Sequence, residues 1–359
     1  MGQDSSTIEV AIIGAGPIGV ELGVAFERLG VACVVFDGGQ LGETIRRWPP
    51  NTHFFSSPER IAVAGIPIPN LDQTKISGEA YLAYLRSVVE QFDLNLRLYE
   101  KVERIDRRDE MFELETNALA GRKSYRCRHV VLATGGMAAP RFLGVPGENL
   151  PHVRHIAPDP HTYFRTRLLI VGGRNSAVEA ALRCWRVGAK VTVCYRRPEF
   201  DREIVKPHLF AEVGMLIRQG QIGFLPERTP VEITPRDVVL APTSNGEPID
   251  RPLLREPADF VLVCSGFVAD MSLFEMAGVE LRGQRRIPAW NPETMETNVP
   301  GLYVAGTAAG GTQQRFEFFI ETCHVHVDKI VAAITGRTAG PTGLGDSRRY
   351  TIPRENAES

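Results

Sequence analysis

The chain has little cysteine, no excess of either charge and no long apolar run. Its six cysteines, at positions 33, 127, 184, 194, 264 and 323, lie singly, mostly inside apolar stretches. That excludes a disulfide framework and fits a reduced compartment. Lys and Arg total 41 against 43 Asp and Glu, a net charge of −2, which leaves no basic footprint for nucleic acid. No segment of about 18 residues is free of charges and glycine breaks, so no transmembrane helix is expected. The opening MGQDSSTIEV lacks the apolar core of a secretory signal. Met1-Gly2 with Ser6 fits a myristoylation pattern, but the pattern is short. The expectation is a chain without a lipid anchor, in the cytoplasm.

What is abundant is glycine, 34 in 359 residues, above the usual share of about 7%. The glycines gather where strands are predicted to end. With 43% hydrophobic and 23% charged residues, the composition is globular, and the length suggests about two domains. Residues 8–13 read as a buried strand, Gly14-Ala15-Gly16-Pro17-Ile18-Gly19 as a turn, and residues 20–30 as a helix stopped at Gly30. A second strand, 31–36, closes on Asp37. A helix over 79–92, an alternating meander over 96–116 and a strand over 128–133 ending at Thr134-Gly135-Gly136 follow. After a Pro-, Gly- and His-rich passage (140–161) the pattern restarts: strand 167–171, turn Gly172-Gly173-Arg174-Asn175-Ser176-Ala177, helix 178–187, strand 190–195, then Arg196-Arg197. Strands over 259–264 and 302–305, the latter before Gly306, precede a long helix predicted over about 313–335. Residues 337–359 read as a solvated C-terminal tail.

A Gly-x-Gly-x-x-Gly turn between strand and helix bends tightly, lets a pyrophosphate approach the backbone and lets helix pack on strand. The helix start then offers free N–H groups and partial positive charge. Gly14, Gly16 and Gly19 have the spacing, and Asp37, ending the next strand, is placed to accept from a ribose hydroxyl. In the second unit Arg196 and Arg197, with Arg202 close behind, take the place of that acid, which favours a 2′-phosphate. The first unit therefore reads as the FAD site and the second as the NADPH site. The candidate FAD residues are Gly14, Gly16, Pro17, Gly19, Asp37, Gly38, Gln40, Ala133, Thr134, Gly135, Gly306, Thr307 and Thr312. The candidate NADPH residues are Gly172, Gly173, Asn175, Ser176, Ala177, Arg196, Arg197 and Arg202. The fold class is α/β, with two Rossmann-like, three-layer ββα dinucleotide-binding domains. Residues 1–139 and 268–336 form a discontinuous FAD domain around an inserted NADPH domain, 140–267.

These segments resemble the two-dinucleotide-binding flavoproteins of the thioredoxin reductase class. GAGPIG, the ATGG turn at 133–136, the GGRNSAVEAA run at 172–181 and YVAG at 303–306 carry the likeness. Phe54-Phe55-Ser56-Ser57, Lys206-Pro207 and Phe319-Ile320-Glu321 make it most similar to the bacillithiol-disulfide (bacilliredoxin) reductase family. The resemblance implies FAD on the outer domain, NADPH on the inserted one, and a homodimer. Three departures stand out. The thioredoxin reductase Cys-x-x-Cys has no counterpart in 152–166, where His152, His155 and His161 occur instead. The glycine-turn cysteine of the bacillithiol type is matched by Ile18, which has no thiol. The usual Gly-Asp of the C-terminal turn is Gly306-Thr307.

The other cysteines do not supply a replacement pair. Cys184 and Cys194 fit a core helix and strand, Cys264 a core strand, and Cys323 lies well inside the last helix. His324 and His326, two apart on that helix, face different sides and do not form a metal site. Glu321 is placed at either the flavin or a subunit contact, and Phe316, Phe318 and Phe319 read as core. The start of the last helix, near Gly311-Thr312-Gln313, is expected to point at the flavin pyrimidine edge, as it does by analogy in the resembled class. No catalytic side chain is assigned. The function is an NADPH-dependent FAD oxidoreductase passing electrons to a small-molecule or protein disulfide. The alternatives are ferredoxin/flavodoxin–NADP reductase-like transfer to a small redox protein, monooxygenation, or a non-catalytic FAD/NADPH redox sensor. Tyr350 in the tail is a candidate to stack on the flavin.

Overall fold

The computed structural model describes residues 8–313 and 317–344. In chain order the elements that position the sites are β1 (Ile8–Ile13), α1 (Pro17–Arg28), β2 (Cys33–Phe36), α2 (Pro58–Ile61), α3 (Gly78–Phe92), β3 (Leu96–Arg97), β4 (Glu100–Arg108), β5 (Met111–Ala118) and β6 (Gly121–Leu132). Then come β7 (Val153–Arg154), β8 (Arg167–Val171), α4 (Asn175–Arg186), β9 (Lys190–Tyr195), α5 (Pro207–Arg218), β10 (Gly223–Pro226), β11 (Arg228–Ile233), β12 (Asp237–Ser244), β13 (Leu254–Pro257) and β14 (Phe260–Val263). β15 (Leu302–Val304) and α6 (Ile320–Thr335) close the list. The chain divides into two compact units, the second formed by residues 48–50 and 140–266 and the first by the other described residues.

In the first unit one sheet runs β3-β2-β1-β6-β5-β4, with β15 also on β6. β1 is parallel to β2 and β6, and β15 is parallel to β6. β4, β5 and the early part of β6 are antiparallel. β6 thus serves two layers: residues 121–127 belong to the meander and 127–132 to the parallel sheet. The burial follows. β1 is almost wholly buried, as a strand covered on both faces must be, whereas β5 alternates. α3 begins at Ser77, whose hydroxyl accepts from Ala80 N–H at 3.2 Å. Its Tyr81 and Leu85 are fully buried.

In the second unit a parallel sheet runs β10-β9-β8-β14-β7. β12 lies between β11 and β13 in a separate antiparallel ribbon. Val171, Cys194, Val238, Leu240 and Val261 share one buried cluster, so sheet and ribbon enclose a common core.

Two sequence expectations need correcting. The last helix starts at Ile320, not near 313. Gln313 prevents the earlier start: its Oε1 accepts from Glu317 N–H (2.8 Å) and Phe318 N–H (3.0 Å), taking donors that a helix would use. Thr322 Oγ1 then accepts from Phe319 N–H at 2.9 Å, capping α6. Second, residues 337–344, expected in the tail, are packed. Ala339 and Leu344 are buried. Gly65 N–H donates to Gly343 O, and the Arg28 guanidinium to Pro341 O. The remainder of the expected tail, with Tyr350, and the N-terminal Gly2 and Ser6 lie outside the described residues, as does Phe316.

Candidate functional site

The first glycine turn is set by contact. Gly14 sits at φ +118, a conformation that disfavours side chains, and a Cβ there would lie 2.3 Å from Ala133 O. A Cβ on Gly19 would lie 1.8 Å from Gly14 O. Gly14 N–H donates to Phe36 O and Ala133 N–H to Ile13 O, tying the turn to the ends of three adjacent strands. A Cβ on Gly16, by contrast, would meet nothing within 4 Å. The backbone is open there, at the first residue before α1, whose Pro17 has no N–H to leave unpaired. This is the approach a pyrophosphate needs.

Asp37 holds the turn together. Its Oδ2 accepts from Ala15 N–H and its Oδ1 from Gly39 N–H, both at 2.8 Å. Burial raises its pKa, and the two N–H donors oppose that rise. Each oxygen keeps a lone pair for a further donor such as a ribose hydroxyl. Gly38 is exposed beside it, and a Cβ there would pack against Lys101. Gln40 is spent locally: its Oε1 accepts from Leu41 N–H, and its amide donates weakly to Tyr99 OH.

Ala133, Thr134 and Gly135 follow β6 at the same strand ends. Thr134 Oγ1 is buried with no hydrogen-bond partner among the described residues, a cost of about 1–3 kcal/mol unless a ligand meets it. Gly135 and Gly136 face the Thr307 side chain, so the two later turns adjoin. Gly306 N–H donates to His326 Nδ1 at 3.2 Å, and burial pushes that histidine's pKa down to about 4. The ring is therefore neutral and can accept. Ile18 is buried and faces Gly306. Thr312 is not at a helix start. Its Oγ1 accepts from Ala269 N–H at 3.1 Å. The open Gly16 backbone, the half-buried Asp37 and the orphaned Thr134 hydroxyl together fit a flavin dinucleotide.

α1 carries a residue that the sequence reading passed over. Glu21 is fully buried, because its carboxylate organises three segments. Oε1 accepts from Ala64 N–H and Gly343 N–H, and Oε2 lies 2.6 Å from His324 Nδ1. His324 Nε2 faces Arg60 O at 3.0 Å. Oxygens face both ring nitrogens of His324, and Glu21 raises its pKa against the opposing effect of burial. An isolated acid in an apolar helix is the only sequence signal for this clasp. Glu321 Oε2 lies 4.0 Å from Arg60 Nη1.

The second turn repeats the device. Gly172 has φ +143, and a Cβ there would lie 2.6 Å from Cys264 O. Gly173 lies against the Tyr195 ring, and a Cβ there would come within 2.5 Å of it. Ala177 is buried under the turn, and Ser176 is exposed. Asn175 has a supporting role: its Oδ1 accepts from Lys206 N–H and its amide donates to Ile204 O. Arg196 and Arg197 are exposed at the end of β9. Their carbonyls are anchored by Thr243 OH and Glu227 N–H, and neither makes an ion pair among the described residues. Arg202 lays its guanidinium 5.1 Å from the Phe210 ring centroid. Arg174 and Arg141, not singled out from sequence, join this charge group. Burial and the charges of Arg196, Arg197 and Arg141 all lower the Arg174 pKa.

All six cysteines are unbridged. Desolvation pushes the thiols of Cys33, Cys127, Cys184, Cys194 and Cys264 up to about 12, and that of Cys323 higher. Burial thus favours the protonated thiol, the less nucleophilic form. His155 pairs with Glu148 at 2.9 Å, and His161 stacks on Phe164. No metal-holding cluster and no membrane-crossing helix occurs among the described residues.

Residues 11–306 match the family model described as pyridine nucleotide-disulphide oxidoreductase. The bacilliredoxin reductase Bdr of Bacillus subtilis is 33% identical over 327 residues, covering 91% of this chain and 97% of that protein. A ferredoxin–NADP reductase of Ignicoccus hospitalis is 24% identical over 307 residues, covering 83% and 89%. The solved bacillithiol disulfide reductase Bdr (YpdA) of Bacillus cereus superimposes with a TM-score of 0.85 at 31% identity, covering 92% of this chain and 99% of that one.

Proposed function

The chain belongs to the pyridine nucleotide-disulphide oxidoreductase family, and from that premise we propose that FAD binds the first unit at the Gly14–Gly19 turn, that NADPH binds the second at Gly172–Ala177, and that the flavin reduces its acceptor without a protein thiol. The protein is an NADPH-dependent FAD oxidoreductase of the thioredoxin reductase class. The bound cofactors supply the redox chemistry, a hydride passing from the nicotinamide to the flavin. The chain supplies the cradle and its charges. Asp37 and the Gly16 backbone receive the FAD ribose and pyrophosphate, and Thr134 offers the unpaired hydroxyl. Arg196, Arg197 and Arg202 provide the charge that selects a 2′-phosphate.

The acceptor we favour is a low-molecular-weight disulfide, because the similar Bacillus cereus structure is a bacillithiol disulfide reductase. The observation that shapes its reduction is Ile18, buried against Gly306 where the resembled family carries a cysteine. Six desolvated, protonated thiols do not replace it. The same observation favours a second reading, transfer to a small redox protein, as in the ferredoxin–NADP reductase relative. A homodimer is part of the proposal by family likeness.

Anaerobic titration with NADPH tests the core of this reading: the bound flavin should bleach. The reduced protein is then offered bacillithiol disulfide and, separately, a ferredoxin. Reoxidation by the disulfide, with no mixed disulfide on any cysteine by mass spectrometry, supports the first reading. Reoxidation by ferredoxin alone supports the second. A trapped mixed disulfide would end the thiol-free proposal, and flavin that stays oxidised under NADPH would favour a redox sensor instead.

A further inference from the structure

We propose that Arg174 is a further cofactor-binding residue, which holds the pyrophosphate of the nicotinamide nucleotide and does so equally for NADPH and NADH. The inference rests on the assignment of that nucleotide to the second unit.

The first observation is a position at odds with local rules. Arg174 is the residue immediately before the first turn of α4, with an extended backbone (φ −107, ψ −175) and no side-chain cap. Ser, Thr, Asn or Asp is preferred there because their oxygens accept from the helix N–H groups. Arginine has no acceptor at all. It also adds a positive charge at the positive end of the helix. The sequence therefore accepts two unfavourable terms at one residue, a pattern found where function overrides local stability.

The second observation is the company Arg174 keeps. Arg196 and Arg197 leave the end of β9, and Arg141 is tied by its N–H to Gly266 O, just past β14. Arg174 itself follows β8. Four guanidinium groups thus come from the same ends of three adjacent parallel strands, the edge at which open α/β sheets bind ligands. Arg141, Arg196 and Arg197 make no ion pair among the described residues. A bound anion of high charge would relieve their mutual repulsion.

The third observation divides the labour. A nicotinamide dinucleotide phosphate carries its 2′-phosphate on the ribose beyond the second strand, where Arg196 and Arg197 stand. It carries its pyrophosphate at the turn after the first strand, where Arg174 stands. Asn175 is already held in place, its amide donating to Ile204 O and accepting from Lys206 N–H. A guanidinium in the turn itself can grip two phosphate oxygens side by side.

The test is binding to the oxidised, FAD-loaded protein, which involves no turnover. NADP⁺, NAD⁺ and adenosine 2′-monophosphate are titrated calorimetrically into the unmodified protein, Arg174→Ala, Arg174→Lys and Arg196→Ala. Arg174→Ala should weaken NADP⁺ and NAD⁺ by the same factor, roughly 10- to 100-fold, and leave adenosine 2′-monophosphate within about twofold. Arg174→Lys should recover part of the loss, since it keeps the charge but not the paired geometry. Arg196→Ala should weaken NADP⁺ and the 2′-monophosphate but not NAD⁺. If Arg174→Ala weakens NADP⁺ and spares NAD⁺, the residue serves the 2′-phosphate and the proposal falls. Unchanged binding of both dinucleotides, with the Arg196→Ala effect intact, also overturns it. If neither variant changes any affinity, the assignment of the nucleotide to this unit fails as well.

Discussion

The two glycine turns are one backbone device given opposite electrostatic finishes. In each, the first glycine faces a carbonyl from a neighbouring strand end, Ala133 O at 2.3 Å from a Cβ on Gly14 and Cys264 O at 2.6 Å from one on Gly172. The residues that end the second strand then differ. Both Asp37 oxygens accept from the backbone of the first turn, whereas Arg196 and Arg197 are exposed and only their carbonyls are anchored. Under the proposed assignment, backbone crowding shapes both turns, and the charge at the strand end would decide which nucleotide each one takes.

The sharpest way to break the likeness is to fill the glycines one at a time. Gly19→Ala should cost about 3 kcal/mol or more and yield protein without flavin, because the methyl collides with backbone rather than with a movable side chain. Gly16→Ala, in open space, should change stability by less than about 0.5 kcal/mol yet weaken FAD retention. Thermal denaturation and the flavin-to-protein absorbance ratio read both effects. Equal destabilisation by the two would dismiss the distinction between packing and ligand-approach glycines.

The electrostatic half of the comparison is tested by removing the arginines. Replacing Arg196 and Arg197 with alanine should raise the KM for NADPH by roughly tenfold or more per lost contact. The KM for NADH should stay nearly constant. A parallel rise in both would mean that these side chains serve folding rather than the 2′-phosphate.

A third difference is that the first unit carries a titrating clasp on α6. His324 has a raised pKa through Glu21, so its stabilisation is full below the ordinary histidine value of about 6.5. It is lost as pH rises through the folded value. His326 has its pKa lowered to about 4 by burial, so its contribution is lost as pH falls from about 6.5 toward 4. Thermal stability should therefore decline on both sides of weakly acidic pH. His324→Gln should flatten the alkaline limb alone, and His326→Gln the acidic limb alone. A pH profile that neither variant alters would show that other groups govern it.

A further substitution, Ile18→Cys, trades one buried apolar side chain for a smaller one at a cost of about 1 kcal/mol. It should introduce a thiol that alkylating agents reach in the reduced protein and that forms a mixed disulfide with a small-molecule disulfide. Absence of any new reactive thiol would mean that the Gly306 side of the turn is closed to acceptors.

Local patterns carry a long way here. Strand, glycine turn, helix and strand in register are visible twice in the sequence, because β-branched runs, glycine spacing and helix stops are properties of neighbouring residues. The acid after one unit and the arginines after the other lie next to the strands they end. The sequence could not show what distant segments do to each other. The helix expected from about 313 starts at Ile320 because the Gln313 side chain captures the N–H groups of Glu317 and Phe318. Residues 337–344 look like a solvated end, yet Gly343 docks on Glu21, far away in sequence. Arg174 and Arg141 are unremarkable until parallel strand pairing brings their strand ends together with Arg196 and Arg197. The sequence by itself determined the two cradles, since φ, glycine size and strand periodicity act over a few residues. Only the tertiary structure decided which buried polar groups meet, because a charge or donor out of water takes whatever partner the packing supplies.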